Sequence, residues 1–293
     1  MISEAMIDVV WDMETGDPDD FITLVLLLGH PRVNLLGVTI TPGTPDQVGV
    51  VRAALAWFGR AIPVGAFDLD HEGKCVSSWH YRAFGDMPAS RDAVPGPELL
   101  RELCGPSTTL VTGGPLKNLG AAIRRPGFTL GRLIVQGGFA GEGVVPAEHQ
   151  LVKFRGLVTC PTYNLNGDPK SALAAIACDA IATKRFVSKN VCHGVVYDAA
   201  MHARIAALRD RSRSLDLIWR GMDVYLAKKS GGKKFHDPLA ACCAIDESIG
   251  TWAEVELYRE RGEWGSRLAP GSGVHIITDY DREKFVATLT AHA

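Results

Sequence analysis

Strand-like and helix-like segments alternate along the first 67 residues, and that alternation restricts the chain to a parallel sheet with crossover helices. Ile7 to Trp11 is a short apolar run rich in β-branched residues. Phe21 to Leu28 is a longer apolar run without breakers, which reads as a buried helix ended by Pro31. Val33 to Ile40 reads as a second strand, and Ile62 to Phe67 as a third. Between them, Asp46 to Phe58 carries Val50, Val51, Leu55 and Phe58 on one helical face. An irregular stretch follows, Asp68 to Pro95. Beyond it the spacing predicts strands at Ser107–Val111, Leu133–Gln136 and Phe186–Val191, with helices at Leu116–Ile123 and Lys170–Cys178. Asp198 to Lys229 reads as mostly helical, and Pro238–Ile245 as a helix started at His236-Asp237. A late strand is expected at Val274–Asp279 and a terminal helix at Arg282–Thr290. No repeat, low-complexity segment or linker interrupts the pattern. Residues 1–293 are therefore expected to form one α/β domain, an open, mostly parallel, Rossmann-like sheet with helices on both faces. The loop Phe139 to Tyr163 is its largest elaboration.

Composition removes several function classes. Hydrophobic residues at 46% and charged residues at 22% supply ample apolar material to offset chain entropy, so disorder is excluded. A net charge of −2 argues against an electrostatic nucleic-acid binder, which needs a basic face. The segment Met1 to Asp8 has an early acid and no basic region, so no secretory signal is expected. The longest apolar run falls far short of the ~20 residues that span a bilayer, so no membrane partner is expected. The seven cysteines are odd in number, scattered and without a CxxC pair. They read as reduced, mostly buried thiols of a cytoplasmic protein, and their spacing gives no support to a zinc site.

The near-neutral total conceals a locally intense charge. Asp12, Glu14, Asp17, Asp19 and Asp20 crowd one turn after the first strand with no basic residue among them. Ligands of open α/β sheets bind at the carboxyl ends of strands, where this turn lies. So many anions repel one another unless a cation sits among them, and carboxylate oxygens suit hard ions such as Ca²⁺ and Mg²⁺. Capping of the next helix accounts for Asp19 and Asp20 at most. It leaves Asp12 and Glu14 unexplained.

Three further stretches could complete a site. Val111 to Asn118 places a Gly-rich turn after a strand, although its Lys117 lacks the spacing of a phosphate-binding loop. Thr162 to Pro169 is polar and precedes a helix. There Asp168 before Pro169 fits an N-cap, while Asn164 and Asn166 carry amides suited to sugar hydroxyls. Phe235 to Pro238 opens an apolar helix with His236 and Asp237, which could cap it or supply a proton donor and a metal ligand.

In this order the pieces resemble the inosine–uridine nucleoside hydrolase family. The counterparts of its acidic DxDxGxDDA turn, its TGxLTN-like turn, its GG pair, its EFN…DPEAA segment and its late HDP are Asp12–Asp20, Thr112–Asn118, Gly137-Gly138, Asn164–Ala172 and His236–Pro238. The resemblance implies a nucleoside hydrolase fold, a small nucleoside substrate and a dimer or tetramer. It also implies a bound Ca²⁺, with Mg²⁺ the second choice, held by Glu14, Asp20, the Thr112 carbonyl and Asp237. The family's general base falls on Glu14, and Asp12 could share either role. Asp19 matches a carboxylate that grips a ribose hydroxyl, and Asn164 a ribose-binding amide. His236 matches a histidine that protonates the leaving base, and Tyr225 lies near an aromatic residue beside it. His80, with His71 and Trp79, lies in the irregular stretch expected to border the base.

Several departures mark a divergent member. Glu14 replaces an aspartate, and the turn gains one residue with Pro18. Thr162 stands where the family has a glutamate on the 5′ side of the sugar. The asparagine expected soon after the GG pair is missing, and Phe139–Tyr163 is longer. The metal end therefore reads as kept and the 5′-hydroxyl and base end as rebuilt. The expected reaction is metal-dependent hydrolysis of the N-glycosidic bond of a ribonucleoside or modified nucleoside. Two other readings compete. One is a non-catalytic, Ca²⁺-dependent nucleoside- or sugar-binding protein. The other is a haloacid-dehalogenase-type phosphatase, in which Asp12 of Asp12-Met13-Glu14-Thr15 is the nucleophile and Mg²⁺ the metal.

Overall fold

A computed structural model describes residues 6–292. Residues 1–5, where the segment read for a leader begins, lie outside the described residues. Thirteen strands are present among the described residues: β1 (Ile7–Met13), β2 (Val33–Ile40), β3 (Val64–Ala66), β4 (Val94–Pro95), β5 (Thr109–Thr112), β6 (Leu130–Gln136), β7 (Thr159–Cys160), β8 (Ile181–Val187), β9 (Val196–Tyr197), β10 (Lys233–Lys234), β11 (Gly250–Glu260), β12 (Glu263–Leu268) and β13 (Val274–Tyr280). Eleven join one sheet in the order β4-β3-β2-β1-β5-β6-β8-β13-β11-β12-β7. Pairing is parallel from β4 through β13 and antiparallel from β13 through β11 and β12 to β7. The mostly parallel sheet with helices on both faces is the architecture that the alternation predicts.

The helices sort onto the two faces by their apolar sides. Helix Pro18–Gly29 is buried along almost its whole length. It packs against β2 and against helices Pro45–Trp57, Arg213–Leu226 and His236–Ile245. A segment apolar all round, as Phe21 to Leu28 is, can be helical only where neighbours cover every side. The other face holds helices Gly96–Leu103, Lys117–Ile123 and Pro169–Ile176, whose Leu100, Leu119 and Ala172 are buried in a second apolar layer. No helix among the described residues is long and apolar enough to cross a membrane.

Three local readings need correction. The strand expected at Phe186–Val191 is β8, which begins at Ile181 and ends at Val187. Ser188 then accepts the Asn190 N–H and starts the one-turn helix Lys189–Cys192, so capping overrides the β-branched Val187 and Val191. The irregular stretch Asp68–Pro95 contains helix Ser78–Phe84 and the two-residue β4. The hairpin β11–β12 carries no early signal because its turn is Arg261-Gly262 rather than Asn-Gly. Both turn residues take positive φ, 48° and 86°, the geometry that a two-residue hairpin of this hand requires.

His80, expected beside the substrate, is instead a core residue. Its ring is fully buried, 5.3 Å from the Phe21 ring and 4.9 Å from Trp79. Burial lowers His80 to about 4, against the opposing pull of the Ser77 carbonyl, and burial likewise lowers His30 to about 4. Both rings are neutral in the folded chain and titrate near 6.5 when unfolded. The stability each ring contributes is therefore full above pH 6.5 and is lost as the pH drops toward 4, by about 2 kcal/mol per histidine between pH 7 and 5. Urea denaturation at the two pH values should show a loss smaller by about 2 kcal/mol in His80→Gln than in the parent. A variant as acid-sensitive as the parent would exclude His80 as a source.

Candidate active site

Strand order reverses at β1, which lies between β2 on one side and β5 on the other. Such a switch point opens a crevice at the carboxyl ends of the strands. Alternation along β1 sends Val9, Trp11 and Met13 into one apolar layer and Val10 into the other. Asp12 therefore points with Val10. It is fully buried, and its Oδ1 accepts from Thr39 Oγ1 at 2.7 Å and Asn118 Nδ2 at 2.8 Å. Its Oδ2 has no partner, and burial raises it to about 7. Two residues on, Glu14 lines a cavity of about 700 Å³ together with Thr41, His71, Thr162 and Tyr163. Burial, then the charges of Asp17 and Asp19, raise Glu14 to about 7. His71, not His80, is the histidine of the irregular stretch that reaches this cavity.

Behind Glu14 lie three buried aspartates. Oxygens of Asp19, Asp20 and Asp237 fall within 4.8 Å of one another. Asp20 accepts the Glu14 N–H at 3.0 Å, while Asp237 Oδ1 has no partner. Burial raises both Asp20 and Asp237 well above the usual carboxylate range, and neighbouring carboxylates add to it, Asp237 acting on Asp20 and Asp19 on Asp237. Asp237 sits in the first turn of helix His236–Ile245, whose N-cap position is Phe235, so it does not cap that helix by its side chain. By contrast, Asp168 accepts the Ser171 N–H as an N-cap, with Pro169 following. Gly113, just past β5, makes room for this arrangement. A Cβ there would lie 2.4 Å from the Trp11 ring and 3.0 Å from the Asp237 carboxylate. An all-oxygen, buried, mutually repelling donor set with an orphaned oxygen fits a hard divalent cation.

One cation is already built in. Lys233 is only 4% exposed, and its Nζ donates to Asp19 Oδ1 at 2.9 Å and Asp17 Oδ2 at 3.1 Å. Asp19 Oδ2 accepts the backbone N–H groups of His236 and Asp237. Burial works to raise Asp19, but Lys233 and these hydrogen bonds outweigh it and hold the carboxyl below its ordinary value. The sequence reading passed over Lys233. Its signal is its place three residues before His236, as a base in the segment that closes on an acidic turn.

The remaining expected residues divide. Asn164 is buried, and its Nδ2 donates to Gly113 O, Gln136 O and Gln136 Oε1, leaving Oδ1 free of these bonds. Thr162 lines the cavity, and its Oγ1 is buried without a partner. His236 Nε2 is likewise unpartnered, and its ring stacks on His193 at 4.7 Å. Burial lowers His236 to about 4; Asp19 opposes this, and Lys233, Lys234 and Lys153 reinforce it. Thr112 ends β5 opposite Asp12. Asn166 touches the cavity, but its amide is spent on structure, donating to Gly262 O and accepting from the Trp264 indole. Tyr225 lies on a neighbouring cavity of about 210 Å³ with Gly16, Trp79 and Lys228, which does not include Glu14.

Removing the Lys233 ammonium would leave Asp19 buried and uncompensated. Lys233→Met is expected to destabilise the chain by about 3–5 kcal/mol, and Asp19→Asn in the same chain to restore part of that loss. Urea denaturation in the presence of a chelator measures both. Additive effects of the two substitutions would show that the pair is not coupled.

Comparison with known proteins bears on the fold and the family. An uncharacterized protein of Aquifex aeolicus is 27% identical over 94% of this chain and 96% of its own length. A protein of Arabidopsis thaliana named as probable uridine nucleosidase 2 is 27% identical over 84% of this chain and 80% of its own. Among solved structures, a plant nucleoside hydrolase superposes with a TM-score of 0.72 at 20% identity, covering 97% of this chain and 98% of that one. The inosine-uridine preferring nucleoside hydrolase of Bacillus anthracis gives 0.70 at 19% identity, with the same coverage of both chains. The family model for inosine-uridine preferring nucleoside hydrolases matches residues 9–287, from β1 into the last helix, and the chain belongs to that family.

Proposed function

We propose that the protein hydrolyses the N-glycosidic bond of a nucleoside or modified nucleoside, releasing free base and sugar, with Ca²⁺ as its metal and Glu14 as general base. The observation that carries this reading is Glu14 on the cavity wall directly in front of a buried aspartate cluster whose Asp237 oxygen is unpartnered. The family, and the uridine nucleosidase named among the relatives, support the substrate class. Asp20 and Asp237 would hold the ion, joined by the Thr112 carbonyl and Glu14. Asp19 belongs to the same cluster but is committed to Lys233. When bound, the ion supplies positive charge that keeps these carboxylates ionised and polarises nearby oxygens.

The chain's own residues do the rest. Water adds to the anomeric carbon as the C–N bond breaks through an oxocarbenium-like sugar, as in glycoside hydrolysis. Glu14 accepts the water's proton. Between the two carboxylates offered for that role, the placement favours Glu14, because Asp12 is sealed beneath the site by Thr39 and Asn118. The negative carboxylates favour charge developing on the ring. Asn164 offers its Oδ1 to a sugar hydroxyl, and Asp19 a remaining lone pair. His236, held neutral, offers an N–H hydrogen bond to the departing base as the electron pair of the broken bond moves onto it, and the proton that Glu14 took from water balances the base as it leaves.

A panel of nucleosides, modified ones included, assayed for free base with and without a chelator tests this reading. Chelation should abolish base release. Glu14→Gln should lower kcat by about 10²–10⁴-fold. Asp237→Ala should abolish both Ca²⁺ binding by calorimetry and turnover. Full activity of Asp237→Ala would sink the metal assignment, and tight nucleoside binding without released base would favour the binding-protein reading.

A further inference from the structure

Next to the acidic end of the cavity lies a recess of opposite character. It holds about 260 Å³, and Thr162, Tyr163, Asn164, Lys189, His193 and His236 are among the residues that line it, so it adjoins the amide and the ring offered to the substrate. Thr162, Tyr163 and Lys189 line both this recess and the larger cavity that contains Glu14. Lys189 lines the recess, and two further cations, Lys153 and Lys234, lie close to its His193 wall. Lys189 opens the one-turn helix after β8, Lys153 lies in the turn Val152–Phe154, and Lys234 ends β10. The ammonium groups of Lys153 and Lys189 lie 4.8 Å and 5.9 Å from the centre of one ring, that of Phe154. Lys153 Nζ reaches His193 Nδ1 at 2.6 Å, and Lys189 Nζ spends one proton on the Pro161 carbonyl at 2.7 Å.

Lys233, one residue before Lys234, sits between two aspartates. Among the described residues, no carboxylate forms an ion pair with Lys153, Lys189 or Lys234. Their charges instead press on one another and on His193, which burial, His236 and these lysines lower to about 2. Like charges gathered around a recess repel unless an anion joins them. Thr162 adds a buried hydroxyl that has no partner. The reverse reading, a soft metal on Cys192, His193 and His236, has the required closeness. It fails on the field, since Lys153 already occupies His193 Nδ1 and three ammonium groups oppose a further cation.

We propose that the substrate carries an anionic substituent, of phosphate or carboxylate class, received in this recess by Lys189 and the Thr162 hydroxyl, with the Lys153 ammonium beside His193 adding to the attraction. The inference rests on the hydrolytic reading above and names its substrate class. The glycosidic bond then lies toward Glu14 and the anion toward the lysines, so the two charged ends fix which way the molecule enters. An oxyanion accepts a charge-assisted hydrogen bond from the Lys189 ammonium and feels the charge of Lys153 behind His193, which a neutral nucleoside does not.

The test compares kcat/KM of the Ca²⁺-loaded protein on uridine and inosine, on their 5′-monophosphates, and on orotidine, whose carboxylate sits on the base. One anionic series should exceed the neutral one by at least about tenfold, and the series that does identifies where the anion is attached. Lys153→Gln and Lys189→Gln should each lower the anionic-to-neutral ratio by about tenfold, near 1.4 kcal/mol. Preference for the neutral nucleosides, or a ratio unmoved by both variants, overturns the proposal while leaving nucleoside hydrolysis intact. If no compound is cleaved, the hydrolytic reading fails by itself, and calorimetry with the same ligands still decides. About tenfold tighter binding of the anionic ligand, lost in the lysine variants, supports the recess; equal binding overturns it. Inorganic phosphate should compete with the anionic substrates. Phosphate consumed to give a sugar 1-phosphate would instead make the recess a co-substrate site and overturn the assignment.

Discussion

The arrangement depends on keeping several carboxylates charged in a place that water scarcely reaches. Asp19, Asp20 and Asp237 share one small buried volume, and each makes ionisation of the next harder. The fold answers with Lys233, which neutralises Asp19, and with two backbone N–H groups at the start of helix His236–Ile245. That answer fixes how helix Pro18–Gly29 and helix His236–Ile245 meet, because the contact between their first turns runs through Asp19. Asp20 and Asp237 receive no ammonium partner, and Asp20 has only the Glu14 N–H. The part of the cluster left unbalanced is the part proposed to hold the ion.

The site then divides by charge. Asp12 acts below the surface, where Thr39 and Asn118 bind it and tie β1 to β2 and to the helix after β5. Glu14 stands on the cavity wall, and Lys117 and Lys189 line the same cavity. A near-neutral chain thus gathers charges of both signs around one cavity, which total charge cannot reveal.

Much of this was legible because the signals were local. The alternation through Ile62–Phe67 reads as parallel strands and helices, and the structure has them. The Asp168-Pro169 pair reads as a cap and is one. The crowding from Asp12 to Asp20 marks the site before any fold is known. What escaped reading depends on contacts distant in sequence. His80 and His71 look alike in an irregular stretch, yet Phe21 and Trp79 take one into the core. Asn166 looks like a sugar ligand until the hairpin β11–β12 claims its amide. Lys233 has meaning only beside Asp19, more than 200 residues earlier. The cationic recess joins Lys153, Lys189 and His193, none of which stands in a motif.

The loop between Phe139 and Tyr163 is pinned at both ends. The Glu142 N–H donates to the Leu157 carbonyl at 2.9 Å, closing its neck, and β7 then pairs with β12 before the chain reaches Thr162. Farther out, Leu151 donates its N–H to Asn190, and the Phe154 ring lies against His193. Its buried Val144, Val145 and Phe154 brace the segment, whereas exposed positions such as 146–149 can change sequence without displacing Thr162, Asn164 or any of the aspartates. The loop is thus a braced frame with variable exposed positions, Lys153 beside His193 among them, so substitution there changes the charge near the cavity without moving Asp19, Asp20 or Asp237.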